Sequence, residues 1–299
     1  MRIADLGPAR PARDLAEAQV RFEALCARDD AAVAPGSGSR WVVHGARVPL
    51  AIVLLHGFTS APPQYDRFAG QLYERGHSVV VPRLPGHGDA DRSAAALGRV
   101  RAEAWLATAD DALDIACGLG ERVAILGISL GGVMAAWSAL RRTDLSCAVA
   151  VAPMFGLLKF PPLVDRIAGA ALAALPDARI AWDPFGDGRQ IPPYGYPRYS
   201  TRGLGQCLRI ADAVYERARS ERPPAAIVAM LLNARDPAVD NALALEVARR
   251  FVALGAVAPT LTLDDLSPIH DIVDPLNPYQ RVGEVYPKLI DFLEERKAS

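Results

Sequence analysis

The stretch Val123-Ala124-Ile125-Leu126-Gly127-Ile128-Ser129-Leu130-Gly131 decides how this chain of 299 residues is interpreted. It opens with four apolar residues, and the residues after Gly131 continue as a helix-like run to Leu140. A G-x-S-x-G pentapeptide between a strand and a helix predicts a tight turn with the serine in a strained backbone conformation. The glycines leave room for that conformation and for close approach of the strand and the helix. We therefore expect the Ser129 side chain to project from the end of a sheet, beside a helix N-terminus that favours negative charge.

Further apolar runs lie on both sides of this stretch. Most of them are continuous rather than alternating, as is typical of strands buried on both faces of a parallel sheet. They cover residues 41–43, 50–55, 79–81, 148–151, 227–232 and 260–263. Helix-like segments alternate with them near residues 64–75, 101–117, 130–141, 238–254 and 280–296. The alternation predicts an α/β fold with a doubly wound, mostly parallel sheet.

One long region interrupts the alternation. Residues 153–224 contain ten of the 24 prolines and eight of the 20 aromatic residues, and they show no clear strand. Helices are expected within them at 162–175 and 203–219. A connection of this length between two strands is too long for a simple loop. The pattern therefore predicts an inserted cap or lid.

The N-terminal region is also distinct from the core. Residues 11–28 place Leu15, Val20, Phe22 and Leu25 among charged residues and alanines, which predicts an amphipathic helix packed on the body of the protein. The predicted organisation is an N-terminal helical extension at 1–40, an α/β core at 41–152 and 225–299, and a cap at 153–224.

Composition narrows the class of protein. Hydrophobic residues make up 51% of the chain and charged residues 22%, which fits a globular protein with a large core. The formal net charge of −1 gives no reason to expect nucleic acid as a partner. The chain begins without the apolar segment of a signal peptide and contains no run long enough to span a membrane. Four widely spaced cysteines without a C-x-x-C pattern favour a reducing compartment, so we expect a cytoplasmic protein; the oligomeric state stays open.

Ser129 needs a base and a residue that orients the base before its hydroxyl can act as a nucleophile. The chain order in this topology is serine, then acid, then histidine. Of five histidines, only His270 follows Ser129, in a loop after the last predicted strand. Because ligands bind at the carboxyl ends of strands in open α/β sheets, His270 is the predicted base.

The acid is less tightly constrained. Asp236 follows the apolar run 227–232 by four residues, at the carboxyl end of a predicted strand, and it is the preferred orienting acid. Asp240, one helical turn later, is its main competitor. A purely structural role is also open to Asp236, as the N-cap of a helix that begins near Pro237.

Two backbone amides are predicted to stabilise an oxyanion. One is the amide of Leu130, the residue after the candidate nucleophile. The other is the amide of Phe58, in the loop His56-Gly57-Phe58-Thr59-Ser60 after an apolar strand. His56 is then expected to hold this loop by hydrogen bonds rather than to act as a base.

Several motifs occur in a shared order, and from about residue 41 to residue 296 the chain resembles the α/β-hydrolase superfamily. The resemblance rests on the Asp236 and His270 pair and on Leu54-Leu55-His56-Gly57-Phe58, Leu84-Pro85-Gly86-His87-Gly88 and Gly127-Ile128-Ser129-Leu130-Gly131-Gly132. Within the superfamily the chain is similar to the group of carboxylesterases, monoacylglycerol lipases and serine aminopeptidases. It departs from many relatives in lacking a glycine upstream of Asp236. By analogy, the loop at 85–88 shapes the site and His87 is structural.

The resemblance implies a serine carboxylic-ester hydrolase that forms an acyl-enzyme on Ser129 and needs no metal or organic cofactor. The expected substrate is a small-molecule ester of small to medium size with an apolar acyl group, either an acyl chain or an aromatic group, because the predicted cap is rich in aromatic side chains. Those side chains also fit a second interpretation, that they form the cap's own core. They are Phe155, Phe160, Trp182, Phe185, Tyr194, Tyr196 and Tyr199.

Two alternatives remain. A peptidase or amidase of the proline iminopeptidase type would need carboxylates in the cap to hold a substrate amine, and Asp183 and Asp187 do not form a convincing cluster. A non-catalytic binding protein on the same scaffold would be expected to lack a member of the triad, and none is missing. A dehalogenase would need an aspartate in place of Ser129.

Overall fold

A computed structural model describes residues 3–30, 32–157, 169–182 and 191–294. Nine strands occur in this part of the chain. They are β1 (Arg40–Val42), β2 (Val48–Leu55), β3 (Ser78–Val81), β4 (Gly120–Ile128), β5 (Leu145–Val151), β6 (Arg179–Ala181), β7 (Arg198–Ser200), β8 (Ile227–Asn233) and β9 (Thr260–Leu263).

Seven of these strands form the central sheet, in the order β1-β3-β2-β4-β5-β8-β9. β1 is antiparallel to β3, and every other neighbouring pair is parallel. Each apolar run interpreted as a strand corresponds to a strand of this sheet. The central strands are almost entirely buried, as their continuous apolar sequences predict. The predicted α/β fold with a mostly parallel sheet is therefore confirmed.

Helices connect the strands of the sheet. The chain runs from β2 towards one edge of the sheet and from β4 towards the other, and right-handed crossovers, the rule for parallel strands, then place helices on both faces. On one face Phe68 of α2 packs against Tyr286 of α7, with ring centroids 4.6 Å apart. The α-helices that lie wholly within the described residues include α1 (Leu15–Cys26), α2 (Asp66–Glu74), α3 (Ala102–Leu119), α4 (Leu130–Ala139), α5 (Thr201–Arg217), α6 (Asn241–Ala253) and α7 (Val282–Glu294).

The direction of winding reverses between β2 and β4, which are neighbours in the sheet. Leu55 at the end of β2 lies opposite Gly127 near the end of β4. The loop after β2 and the turn after β4 therefore leave the sheet side by side. Such a reversal opens a crevice at the carboxyl ends of the strands, where ligands bind in this class of fold.

The segment between β5 and β8 contains structure that the sequence did not suggest. The prediction of no strand there is wrong, because β6 and β7 form an antiparallel pair. Each has only three residues, which is too short for a recognisable alternation. The helix predicted at 203–219 is α5, displaced by two residues. Of the helix predicted at 162–175, residues 169–174 are helical, and residues 162–168 lie outside the described residues.

The N-terminal helix α1 packs on the body of the protein, as expected. Asp14 caps it by accepting a hydrogen bond from the amide of Glu17 at 2.9 Å. Its buried residues include Phe22, whose ring stacks on Trp41 with centroids 4.1 Å apart. The expectation that Val20 shares the apolar face is wrong, because this side chain is 65% exposed.

None of the helices in the described ranges has the length and apolar character needed to cross a membrane. The cytoplasmic location and the division of the chain at residues 40, 152 and 224 stay predictions.

Candidate active site

Ser129 occupies the turn between β4 and α4 in a conformation that side chains rarely adopt. Its φ is 58° and its ψ is −113°. The strand next to β4 holds the turn in place, because the Ser129 amide donates to the carbonyl oxygen of Val151 at 2.9 Å. The Ser129 carbonyl accepts from the amide of Met154 at 3.2 Å. These contacts from β5 and from the segment that follows it offset the backbone strain that the turn stores.

The glycines on either side of Ser129 are required for close approach rather than for an unusual φ. A β-carbon at Gly127 would lie 2.2 Å from the carbonyl group of Gly131, so the two residues face one another across the turn. A β-carbon at Gly131 would lie 2.1 Å from the carbonyl oxygen of Leu55 in β2. Both glycines therefore allow α4 to start directly against the sheet, as the pentapeptide predicts.

His270 and Asp236 are joined by a short hydrogen bond. The distance between His270 Nδ1 and Asp236 Oδ2 is 2.8 Å, although 34 residues separate them in the chain. The Asp236 carboxylate has no exposed surface, and the His270 side chain is 26% exposed. Because Nδ1 is engaged with the carboxylate, Nε2 is the imidazole nitrogen available to a reacting group.

The pKa values of the pair follow from burial and from their mutual contact. Burial raises the pKa of Asp236, but His270 and the amides of Ala238 and Val239 outweigh it, and the net pKa is lowered. Burial lowers the pKa of His270, but the Asp236 carboxylate outweighs it, and the net pKa is raised. The arrangement therefore favours an ionised acid beside a histidine that accepts a proton readily.

Asp240, the competing acid, is engaged elsewhere. It is the N-cap of α6, and its Oδ1 accepts from the amide of Ala242 at 2.8 Å. The helix therefore begins at Asn241 rather than near Pro237, and the expectation of an N-cap at Asp236 is wrong. Asp236 instead stabilises the preceding turn, where its Oδ1 accepts from the amides of Ala238 and Val239. Its two oxygens thus serve different partners.

Asn233 positions the histidine loop, a role that the sequence analysis missed. This fully buried residue ends β8, and its Nδ2 donates to the carbonyl oxygens of Ser267 at 2.9 Å and Ile269 at 2.8 Å. Its Oδ1 accepts from the amide of Arg235. An amide side chain at the carboxyl end of an otherwise apolar strand was the available signal.

The two residues whose amides are predicted to form an oxyanion hole are buried. Phe58 follows β2 and Leu130 is the first residue of α4, so both lie where β2 and β4 end. Neither amide donates to any acceptor in the described ranges of the chain. Buried backbone N–H groups without partners are rare. Two of them next to a candidate nucleophile provide donors for negative charge.

His56 and His87 are buried neutral side chains rather than candidate bases. His56 Nε2 accepts from the amide of Leu84 at 3.1 Å, so the ring is neutral and its Nδ1 donates to the carbonyl of Gly57. Burial lowers the pKa of His56 to about 4, and burial also lowers the pKa of His87. Their rings pack together with centroids 4.9 Å apart. The expectation that His56 holds its loop by hydrogen bonds agrees with this geometry.

Ser129, His270 and Phe58 line one cavity of about 470 Å³. Asp236 lies behind His270, outside the lining. Ser60 also lines the cavity, and its hydroxyl is buried and has no hydrogen-bond partner in the described part of the protein. The remaining lining residues are Gly57, Thr59, Gln64, Ile128, Trp182, Ile191, Pro192, Gly195, Tyr196, Pro237, Ala238, Pro268, Asp271 and Asn277.

Only part of the predicted aromatic set reaches this cavity. Trp182 and Tyr196 line it, and Trp182 Nε1 donates to Thr59 Oγ1 in the loop after β2 at 2.8 Å. Phe155, Tyr194 and Tyr199 do not line it, and Phe160 and Phe185 lie outside the described residues. Trp182 and Tyr196 therefore lie at the cavity wall, and the two interpretations of the aromatic residues stay predictions.

Among the described residues, no group of three His, Cys, Asp or Glu side chains is placed to hold a metal ion.

Solved structures with a similar fold include lipolytic enzymes. A monoglyceride lipase from Saccharomyces cerevisiae superposes with a TM-score of 0.64 at 15% identity, over 86% of this chain and 90% of that chain. A monoacylglycerol lipase from Paleococcus ferrophilus gives a TM-score of 0.63 at 17% identity, over 85% and 97%. At these identities the similarity shows the fold alone.

Comparison of sequences finds a relative that aligns with part of the chain and a family model that matches most of it. A thermostable monoacylglycerol lipase from Bacillus sp. (strain H-257) is 24% identical over 121 residues, which are 40% of this chain and 46% of that protein. The aligned part thus spans less than half of the relative's length. The model of the alpha/beta hydrolase family matches residues 52–284, from β2 into α7. The chain therefore belongs to the alpha/beta hydrolase family.

Proposed function

We propose that this protein is a serine hydrolase that cleaves carboxylic esters through an acyl-enzyme on Ser129. The observation that supports the proposal most directly is the 2.8 Å contact between His270 Nδ1 and Asp236 Oδ2, with Ser129 and His270 lining one cavity. In this arrangement the acid orients the base, and the base faces the space that the nucleophile also faces.

The proposed reaction has two halves. The Ser129 oxygen attacks the ester carbonyl while His270 Nε2 takes its proton, and the imidazolium is stabilised by Asp236. His270 then gives this proton to the leaving alcohol. Water attacks the acyl-enzyme by the reverse route and releases the acid. Negative charge on the carbonyl oxygen is stabilised by the amides of Phe58 and Leu130, which have no other acceptors in the described residues.

The cavity supports a substrate with an apolar acyl group. Apolar surface from Ile128, Ile191 and Trp182 adjoins the polar groups that would orient the ester. We further propose that the segment between β5 and β8 acts as the cap, because Trp182 and Tyr196 from this segment form part of the cavity wall. Monoacylglycerols are one ester class to test, because the proteins similar to this chain include monoacylglycerol lipases.

A peptidase of the proline iminopeptidase type is the second candidate, and less supports it. Such an enzyme needs carboxylates to hold the substrate amine. Among the described residues that line the cavity, the only acid is Asp271, and one of its oxygens is bonded to Gln64. Asp183 and Asp187 lie outside the described residues.

The test combines active-site labelling with turnover. Wild-type protein should be labelled by a fluorophosphonate probe and should hydrolyse p-nitrophenyl esters of increasing chain length. Ser129→Ala should lose labelling and about 10⁴-fold or more of kcat. Ser220→Ala is the matched control, because this serine is exposed and distant in the chain from the turn.

The outcomes separate the candidates. Wild-type protein that neither labels nor turns over any ester would refute the enzyme proposal and favour a binding protein on the same scaffold. Faster turnover of the matched p-nitroanilides than of the esters would favour the peptidase. Equal labelling of Ser129→Ala and Ser220→Ala would show that the reactive serine lies elsewhere.

A further inference from the structure

Gln64 joins two loops that the proposed reaction needs in a fixed relative position. Its side chain contacts Gly57 in the loop that carries the Phe58 amide, and Asp271, the neighbour of His270. We infer that Gln64 is a positioning residue that holds the oxyanion loop and the histidine loop at a set distance. The inference rests on the proposed function, because it assigns a role within that reaction.

The orientation of the Gln64 amide is determined by its partners. The Gly57 amide can only donate, so the Gln64 atom 2.9 Å away is Oε1. Nε2 then donates to Asp271 Oδ2 at 2.6 Å, and a carboxylate can only accept. A flipped side chain would place a donor against a donor and an acceptor against an acceptor. Gln64 therefore satisfies the donor of Gly57 and the acceptor of Asp271 at the same time. An ionised glutamate or a hydrophobic residue could not satisfy both.

Gln64 is itself firmly held. It lies in a short 3-10 helix, Pro62–Tyr65, directly after the oxyanion loop, and it is 2% exposed. The other oxygen of Asp271 accepts from the amides of Val273 and Asp274. The Asp271 carboxylate is therefore bonded on both sides, and the link from one loop to the other contains no exposed flexible group.

For the proposed reaction, the link through Gln64 fixes the loop that carries the Phe58 amide and the loop that carries His270. Because the Gly57 amide donates to Gln64, the peptide group between His56 and Gly57 is fixed, one residue before the Phe58 amide. The Phe58 amide itself has no acceptor among the described residues and is left for an oxyanion. Asp271 lies in the loop between β9 and α7, so its tie to Gln64 anchors the backbone beside His270. Displacement of a reacting group by about 1 Å costs about 100-fold in rate.

Two variants separate the two hydrogen bonds. Gln64→Met removes both bonds at similar volume, whereas Gln64→Glu keeps an acceptor for Gly57 and loses the donor to Asp271. Gln71→Met is the matched control, because Gln71 lies in α2, just after Gln64, and does not line the cavity. Turnover is normalised to the burst of acylated Ser129, so that misfolded protein does not count.

Gln64→Met should lower kcat by about 10- to 100-fold with KM changed by less than about threefold. Gln64→Glu should show a pH signature. At low pH the introduced carboxyl and that of Asp271 share a proton that replaces the lost donor, and at higher pH the two charges repel. The ratio of the kcat of this variant to that of the wild type should therefore fall by about fivefold or more between about pH 6 and about pH 9.

The results distinguish this inference from the proposed function. Absence of Ser129-dependent turnover in wild-type protein overturns both. Normal wild-type turnover with an unchanged kcat in Gln64→Met overturns the positioning role alone. A ratio for Gln64→Glu that does not vary with pH also overturns it, since the link to Asp271 would then have no effect on the reaction.

Discussion

Replacing Asp236 with Asn tests the relation between the acid and the histidine most directly. The substitution keeps the shape of the side chain, and the Asn oxygen can still accept from the amides of Ala238 and Val239, as Asp236 Oδ1 does. The group facing His270 Nδ1 changes from an anionic acceptor to an N–H donor. The turn should therefore stay intact while the charge and the hydrogen-bond direction are lost.

The magnitude follows from the contact. The Asp236 carboxylate is fully buried and its Oδ2 lies 2.8 Å from His270 Nδ1. With charge centres roughly 4 Å apart and an effective dielectric constant of about 20, the attraction between carboxylate and imidazolium is about 4 kcal/mol. Loss of that stabilisation in the transition state corresponds to about 10³-fold in rate. The Asn donor also favours the tautomer with the proton on Nε2, which cannot accept a proton from Ser129, so we expect about 10⁴-fold.

The assay is steady-state hydrolysis of a p-nitrophenyl ester, together with the rate of fluorophosphonate labelling. The matched control is Asp240→Asn, the same change four residues away. Asp240 caps α6, and Asn is an equally good N-cap, so kcat should stay within about twofold. Thermal unfolding of each variant establishes that the protein remains folded.

Two results would refute the reasoning. If Asp236→Asn loses less than about tenfold in kcat, the buried carboxylate does not orient the base. If Asp240→Asn loses more activity than Asp236→Asn while both remain folded, the acid is assigned to the wrong residue.

Three further predictions concern pH, packing and the cavity. The net pKa of His270 is raised above the ordinary value of 6.5, so the acid limb of the pH profile of kcat/KM should have its midpoint above pH 6.5. Asp236→Asn should lower that midpoint. An unchanged midpoint would contradict the contact between Asp236 and His270. Gly131→Ala should lower Tm by roughly 2 to 5 °C, read by calorimetry, because a β-carbon there would lie 2.1 Å from the Leu55 carbonyl oxygen. An unchanged Tm would contradict this packing. Trp182→Ala should lower kcat/KM about tenfold for esters with a long apolar chain and less than about threefold for the acetate, and equal losses would argue against an acyl contact.

Much of the fold was predictable because its signals are local. The inner strands β2, β3, β4, β5 and β8 contain short apolar runs, and burial on both faces makes such a run apolar whichever partner it pairs with. The two strands outside the central sheet were not predictable. β6 and β7 have three residues each and are partly exposed, so their pairing leaves almost no pattern in the sequence.

The candidate site was predictable only in part. Ser129 and His270 were singled out because the turn motif is contiguous and a single histidine follows it. The distinction between Asp236 and Asp240 was open, because both acids follow β8 and both can cap a turn. Only the folded chain shows one carboxylate bonded to His270 and the other to the start of α6.

The sequence by itself determined the order of the central strands and their helices and the strained serine turn, because both depend on residues that are neighbours in the chain. It also singled out the candidate base, because a single histidine follows Ser129. The tertiary structure alone decided which acid meets the base, how Asn233 holds the histidine loop and how Gln64 reaches Asp271, 207 residues away. Hydrogen bonds across such separations depend on how loops converge at the edge of the sheet. No local pattern of polarity encodes that convergence.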